Sequence, residues 1–271
     1  MMKKPAKSEI DIYQIDAFTE NLFGGNPAAV CPLDNWLEDE ILQNIAIENN
    51  LAETAFFVQL TNNHFHLRWF TPESEIDLCG HATLASAFVI FEELKYKNDE
   101  IFFKTQSGVL TVKKVDDYYE LDFPSRPPQK SSLPKIISDG LNIQPIEIWK
   151  ARDYLLVYNS ENDIKSINPN IAIFNQINIY PGGIIVTAKS QLENVDFVSR
   201  YFTPQATVFE DPVTGSAHCT LVPFWANRLN KTVLRALQIS KRRGELLCQL
   251  NKDRVTIKGR AVKYLEGVIE L

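Results

Sequence analysis

The sequence predicts an α+β protein built as two similar domains. Three observations predict it. One segment occurs twice at a near-constant spacing. Short runs alternate apolar and polar residues like half-buried strands. Two further runs are apolar on nearly every side and read as wholly buried helices. The repeat carries most of the argument. FHLRWFTPESEIDLCGHATLASAFVIF begins at Phe65 and FVSRYFTPQATVFEDPVTGSAHCTLVPFW at Phe197. Arg68 matches Arg200 at an offset of 132, Gly80 matches Gly215 at 135, and Gly108 matches Gly244 at 136. Short indels between elements would produce that drift, and a period this long is not a solenoid repeat. The first domain is expected over 1–122 and the second over 123–271, with FPSRPPQKSS at 123–132 as a Pro- and Ser-rich linker.

The elements follow in order. EIDIYQIDAF alternates as a strand should. DNWLEDEILQNIAIENN has Leu37, Ile41 and Ile45 at helical spacing, with Asp34 or Asn35 as the expected cap. TAFFVQL and HFHLRWF read as strands, and ATLASAFVIFEEL as a central buried helix. In the second half GGIIVTA and DFVSRYF are strands and SAHCTLVPFWANRL is a helix, which Pro223 is expected to kink.

Composition narrows the function. The chain has 271 residues, 45% hydrophobic and 23% charged, which suits a globular protein. Its net charge of -6 disfavours a nucleic-acid partner. No run of 18 apolar residues predicts a membrane span. MMKKPAKS has no apolar stretch behind its lysines, so no secretory signal is expected. Cys31, Cys79, Cys219 and Cys248 form no pattern, which predicts free thiols in a cytoplasmic protein and no zinc site. No Walker or Rossmann glycine signature is present, so neither a cofactor nor a metal is expected.

The chemistry gathers at the repeated glycines. Cys79-Gly80-His81-Ala82 and Thr214-Gly215-Ser216-Ala217 each lead into a buried helix. Glycine allows close approach to the backbone, and a helix start offers unpaired N–H groups and partial positive charge. Two such starts facing one cleft would hold a small carboxylate. Each could equally be a turn that duplication copied. Glu53, between a helix and an apolar strand, is either a partly desolvated acid/base or a strand-start carboxylate facing water. Asp211 either orients a partner or caps a turn, and His81 either moves protons or packs structurally. Asn26, after two glycines, is a turn residue or a ligand contact. His218 and Cys219 read as core, and nothing supports a role for His64 or His66.

The set DAFT, GGNPAAV, LAETAFF, RWFTP, LCGHATLA and FEDPVTGSAHC resembles the phenazine-biosynthesis PhzF-like family of isomerases, over roughly residues 10–271. The resemblance implies the diaminopimelate-epimerase-like fold: two similar domains, each a bent, mostly antiparallel sheet wrapped around a central buried helix, with the active site between them. It also implies a homodimer and a C-terminal segment, LEGVIEL, that returns to the first domain. Carried over residue by residue, it makes Glu53 the general acid/base. His81, Asp211 and Ser216 become further catalytic positions. Asn26, Gly80 and Gly215 become substrate-binding positions. One departure is Ala52, where the family commonly has Ser before the catalytic Glu.

The epimerase relatives place a cysteine immediately before each glycine junction. Here those places hold Cys79 and Thr214, and a hydroxyl is too weak an acid to be the second base. The expected reaction is therefore a one-base proton shift through Glu53 on a small, anionic, activated substrate. The alternatives are a non-catalytic carboxylate binder of the same fold and an epimerase dependent on Cys79.

Overall fold

The structure is a computed structural model that describes residues 9–179, 182–204 and 206–271. The N-terminal stretch read above for a leader lies outside the described residues. The first half runs β1 (Glu9–Ala17), β2 (Asn26–Leu33), α1 (Asp39–Asn49), β3 (Glu53–Thr61), β4 (His64–Phe70), β5 (Glu75–Ile76), α2 (Gly80–Phe88), β6 (Glu100–Thr105), β7 (Gly108–Val115) and β8 (Tyr118–Pro124). The chain continues through β9 (Gln129–Lys130), α3 (Lys135–Asp139), β10 (Glu147–Lys150), β11 (Tyr154–Val157), α4 (Glu161–Ser166), α5 (Ile171–Phe174), β12 (Ile184–Lys189) and β13 (Phe197–Phe202). It ends with β14 (Glu210–Asp211), α6 (Gly215–Leu229), β15 (Val233–Gln238), β16 (Gly244–Asn251), β17 (Arg254–Gly259) and β18 (Ala261–Glu270). The architecture is a mixed α/β fold with a large sheet and few helices.

The ladder order is the same in both halves. β1 and β2 are antiparallel, β2 and β3 parallel, β3 and β4 antiparallel, β4 and β6 parallel, then β6, β7 and β8 antiparallel. β10 to β13 and β15 to β17 show the same sequence of pairings. β8 and β17 pair antiparallel and join the halves, with Tyr119 opposite Gly259 and Pro124 opposite Arg254. Past that seam each chain segment crosses over. β9, after β8, pairs with β10, whereas β18, after β17, returns to β1 with Gly267 opposite Ile12.

Several local expectations need correction. α1 begins at Asp39 with Glu38 as its cap residue and no side-chain cap bond, so neither Asp34 nor Asn35 caps it. Asp39 and Glu40 instead put negative charge against the positive helix start. Its buried face is Leu42, Ile45 and Ala46, while Ile41 is exposed. β8 runs through Phe123 and Pro124, into the stretch expected as linker. α6 continues past Pro223 as one helix of 15 residues. Proline deprives the carbonyl four residues back, that of Cys219, of its helical donor. The Arg126 N–H supplies the replacement at 2.8 Å.

Residues 80–87 of α2 are buried, and the helix packs on β1, β2, β3 and β8 before a π-helical turn at Val89–Glu93. One apolar cluster includes Leu84 of α2, Leu221 of α6, Phe123 of β8 and Ile257 of β17, so the halves share a core. Smaller clusters lie under α1 and under α3 to α5. No helix among the described residues is long and apolar enough to cross a membrane.

Candidate active site

β2 and β3 are parallel, so their N-terminal ends lie together and bring Asn26 and Glu53 to one end of the sheet. α2 starts there with His81 as its second residue. The second half delivers β14, the turn after it and the start of α6, with Asp211, Thr214, Gly215 and Ser216. The two helix starts touch: a Cβ built on Gly80 would lie 3.3 Å from the Cα of Gly215. A side chain at either position would press the two starts apart by a few tenths of an ångström, which is a packing reason for both glycines. Neither Cys79 nor Thr214 caps its helix with a side chain, so the first N–H groups of α2 and α6 are left for another acceptor.

A single polar network links the halves. Asn26 Nδ2 donates to Asp211 Oδ1 at 2.6 Å and to the Val213 carbonyl at 3.0 Å, and it lies 3.0 Å from His81 Nδ1. Thr214 Oγ1 donates to Asp211 Oδ2 at 2.6 Å, which is where the threonine hydroxyl turns instead of capping α6. His81 Nε2 lies 2.9 Å from Glu53 Oε2. The distance is that of an ion pair. Both are buried, although the Glu53 side chain keeps 15% of its exposure.

Burial governs the charges. It pushes the Asp211 carboxyl up to about 6, with the His81 cation pulling down and the Glu53 anion pushing up. Burial also works against a charge on His81, yet that residue is held well above its ordinary value by its acidic neighbours. Of these, Cys79 is itself pushed up to about 11, chiefly by burial, and is a neutral thiol at pH 7. The Glu53 carboxylate is the anion that holds the His81 proton.

Glu53, Cys79 and His81 offer ligand atoms within 4.8 Å of one another, a spacing that suggests a metal. The imidazole argues otherwise. Cys79 Sγ approaches Nδ1 at 3.5 Å, whereas Glu53 approaches Nε2. As these side chains stand, Cys79 and Glu53 approach opposite ring nitrogens, which is not the convergent arrangement a tetrahedral ion would want. The arrangement suits proton transfer along the ring.

The chain matches the phenazine biosynthesis-like protein family (PhzC-PhzF) over residues 15–267. It belongs to that family. A Pseudomonas aeruginosa protein named an uncharacterized isomerase is 47% identical, covering 97% of this chain and 100% of its own. A crystal structure of a PhzF-family phenazine biosynthesis protein from Enterococcus faecalis is 44% identical with a TM-score of 0.92, covering 97% of this chain and 100% of that one. The fold is shared more widely. A hydroxyproline epimerase from Agrobacterium vitis superimposes with a TM-score of 0.64 at 8% identity, a likeness of fold alone.

In this family member, six of the seven residues singled out from sequence are tied by distances: Glu53, His81, Asn26 and Asp211 by the polar network, and Gly80 and Gly215 by the contact between them. Ser216 follows Gly215 and stays partly exposed, with no side-chain partner among the described residues. His218 donates from Nδ1 to the Thr214 carbonyl at 2.8 Å, and burial pushes it down to about 4, so it is a neutral core histidine. His66 accepts from Trp36 at 3.1 Å, a structural contact.

Sequence reasoning missed Gln238. This buried residue ends β15, accepts from Thr214 N–H at 2.9 Å and donates to the Asp211 carbonyl at 2.7 Å. It fixes both ends of the turn that leads into α6. A signal was available: period two puts Gln238 on the inward face with Leu234 and Ala236, where a polar residue needs partners. Asp153 and Tyr201 were also missed. Tyr201 Oη donates to Asp153 Oδ1 at 3.0 Å, and Tyr201 stands opposite Asp211 in the β13–β14 ladder.

Proposed function

We propose that the chain is an isomerase that moves a proton on a small carboxylate-bearing substrate, with Glu53 as the one general acid/base. The observation that carries this reading is the buried contact between Glu53 Oε2 and His81 Nε2 at 2.9 Å, beside the touching helix starts. The uncapped N–H groups at Gly80, His81, Gly215 and Ser216 suit a carboxylate or the enolate-like oxygen that forms beside it. Glu53 takes the proton from one carbon and returns it to another on the same face. His81 steadies its charge, while Asn26 and Thr214 hold Asp211 as a second polar contact. Relatives named isomerases support the reaction class. The neutral Cys79 thiol, pushed up to about 11, is a poor base and favours the one-base route over an epimerase dependent on it.

The site lies, on this reading, between two similar domains that arose by duplication, each sheet wrapped on its own helix. The repeated ladder order and the paired crossovers of β9 and β18 support that view. We also propose a homodimer. β18 pairs only with β1 among the described residues and exposes Tyr264, Leu265 and Val268, an edge that a second copy would cover.

Incubation with candidate unsaturated acids in heavy water tests the function, because an enzyme labels its product whereas a binder leaves its ligand unlabelled. Glu53→Gln should remove labelling while folding and ligand binding persist. Full labelling by that variant would refute the one-base mechanism.

A further inference from the structure

Away from the Glu53–His81–Asp211 network, a cavity of about 680 Å³ opens between the β1–β2 loop and the β15–β16 hairpin. Arg235, Arg242, Arg243 and Arg260 line it, against two carboxylates, Glu20 and Glu245. The chain as a whole carries a net charge of -6, so this gathering of cations runs against its composition.

Two of the four arginines are committed. Arg242 Nη2 pairs with Asp16 at 2.7 Å and donates to the Gly24 carbonyl at 2.8 Å, and its Nε donates to the Gly25 carbonyl at 3.0 Å. Arg260 pairs with Glu20 and lies 4.6 Å over the Tyr118 ring, while its buried Nε has no acceptor among the described residues. Arg235 and Arg243 are different. Their backbone N–H groups are bonded, to Asp196 and Ser240, but their guanidinium groups have no ion pair or hydrogen bond among the described residues. Arg235 stands opposite Leu247 in the β15–β16 ladder, with Arg235 exposed and Leu247 partly so, and that face of the hairpin presents cation and apolar surface together.

We propose that this cavity binds a small organic phosphate, its phosphoryl group held by Arg235 and Arg243 and its apolar body on Leu247 and Tyr118. A carboxylate is satisfied by one guanidinium fork. A phosphoryl dianion has three oxygens and can engage two forks at once. The volume exceeds that of inorganic phosphate and suits a drug-sized or smaller molecule. A nucleic-acid chain is disfavoured, because two free cations cannot offset its repulsion by an acidic protein.

Calorimetric titration of the intact protein with phenyl phosphate and with inorganic phosphate tests this. Phenyl phosphate should bind more tightly than inorganic phosphate, and Glu53→Gln should bind it as the wild type does. The double variant Arg235→Ala/Arg243→Ala should weaken binding at least tenfold with its ligand-free unfolding temperature and its heavy-water exchange unchanged. Arg235→Lys/Arg243→Lys, which keeps charge and loses the forks, should fall between and serves if the alanine variant folds poorly. Equal binding by wild type and both double variants, loss of binding in Glu53→Gln alone, or no binding by the wild type would each overturn the proposal. The exchange assay reports on Glu53 separately, so failure here leaves the catalytic reading standing.

Discussion

Asp211 and His81 set the pH behaviour expected of this protein. The folded Asp211 carboxyl titrates near about 6 because burial disfavours its charge, above its unfolded value. A group with a raised folded pKa binds more protons in the folded state, so its contribution is full below the unfolded pKa and is lost as pH rises through the folded one. The wild type should therefore lose unfolding temperature relative to Asp211→Asn as pH rises from about 4 to about 6. His81, held well above its ordinary 6.5, adds a second decline of the same sign at higher pH, which His81→Asn should remove. A difference between wild type and Asp211→Asn that stays constant across the lower window would contradict the assignment. Gln238 is a stability determinant of the same turn. Gln238→Ala strands the buried Thr214 N–H and should cost about 1–3 kcal/mol by denaturant unfolding. An unchanged midpoint would show that water replaces the amide without loss.

At the scale of elements, matched glycines serve different ends. Gly108 opens β7 at φ +100 with nothing within 4 Å of a built Cβ, so its backbone needs glycine and its surroundings do not. A Cβ on Gly244, which opens β16, would come within 2.2 Å of Val213 Cγ2. Val213 accepts from Asn26 and precedes Thr214, so the glycine makes room for the turn that carries the site. Gly244→Ala should cost about 1–3 kcal/mol through overpacking and slow heavy-water exchange. Gly108→Ala should lower stability through backbone strain and leave exchange untouched, which separates the two roles. Alignment of the repeats could equate these glycines but could not tell them apart, because one requirement is torsional and the other depends on a side chain distant in sequence. α1 teaches the same point. Its periodicity was legible, yet its start and buried face follow from what it packs on, and the Leu42–Ile45–Ala46 face won over Ile41. Pro223 reads from sequence as a lost hydrogen bond and a kink, and Arg126, from a separate strand crossover, satisfies the carbonyl it strands.

For the whole molecule, the shared core has a consequence for folding. Leu84, Phe123, Leu221 and Ile257 belong to one cluster, and β18 completes the sheet beside β1. A fragment of residues 1–124 loses β17 and β18 and exposes one side of that core. It should show no cooperative unfolding transition by circular dichroism, whereas a sharp transition would show that the first half folds alone. The sequence by itself determined the strands at EIDIYQIDAF, TAFFVQL, HFHLRWF, GGIIVTA and DFVSRYF, the helices between and after them, the repeated segment, and the residue types at the two glycine junctions, because these are local patterns of period, turn chemistry and glycine freedom. It also determined the family, since motifs in order are a property of the chain. Only the tertiary structure decided which groups address one another: that Asn26 reaches Asp211 across the halves, that Glu53 meets the far nitrogen of His81, and that Gln238 holds the turn between them. Those contacts join residues far apart along the chain, and the packing of two helix starts through Gly80 and Gly215 is the physical act that brings them within range.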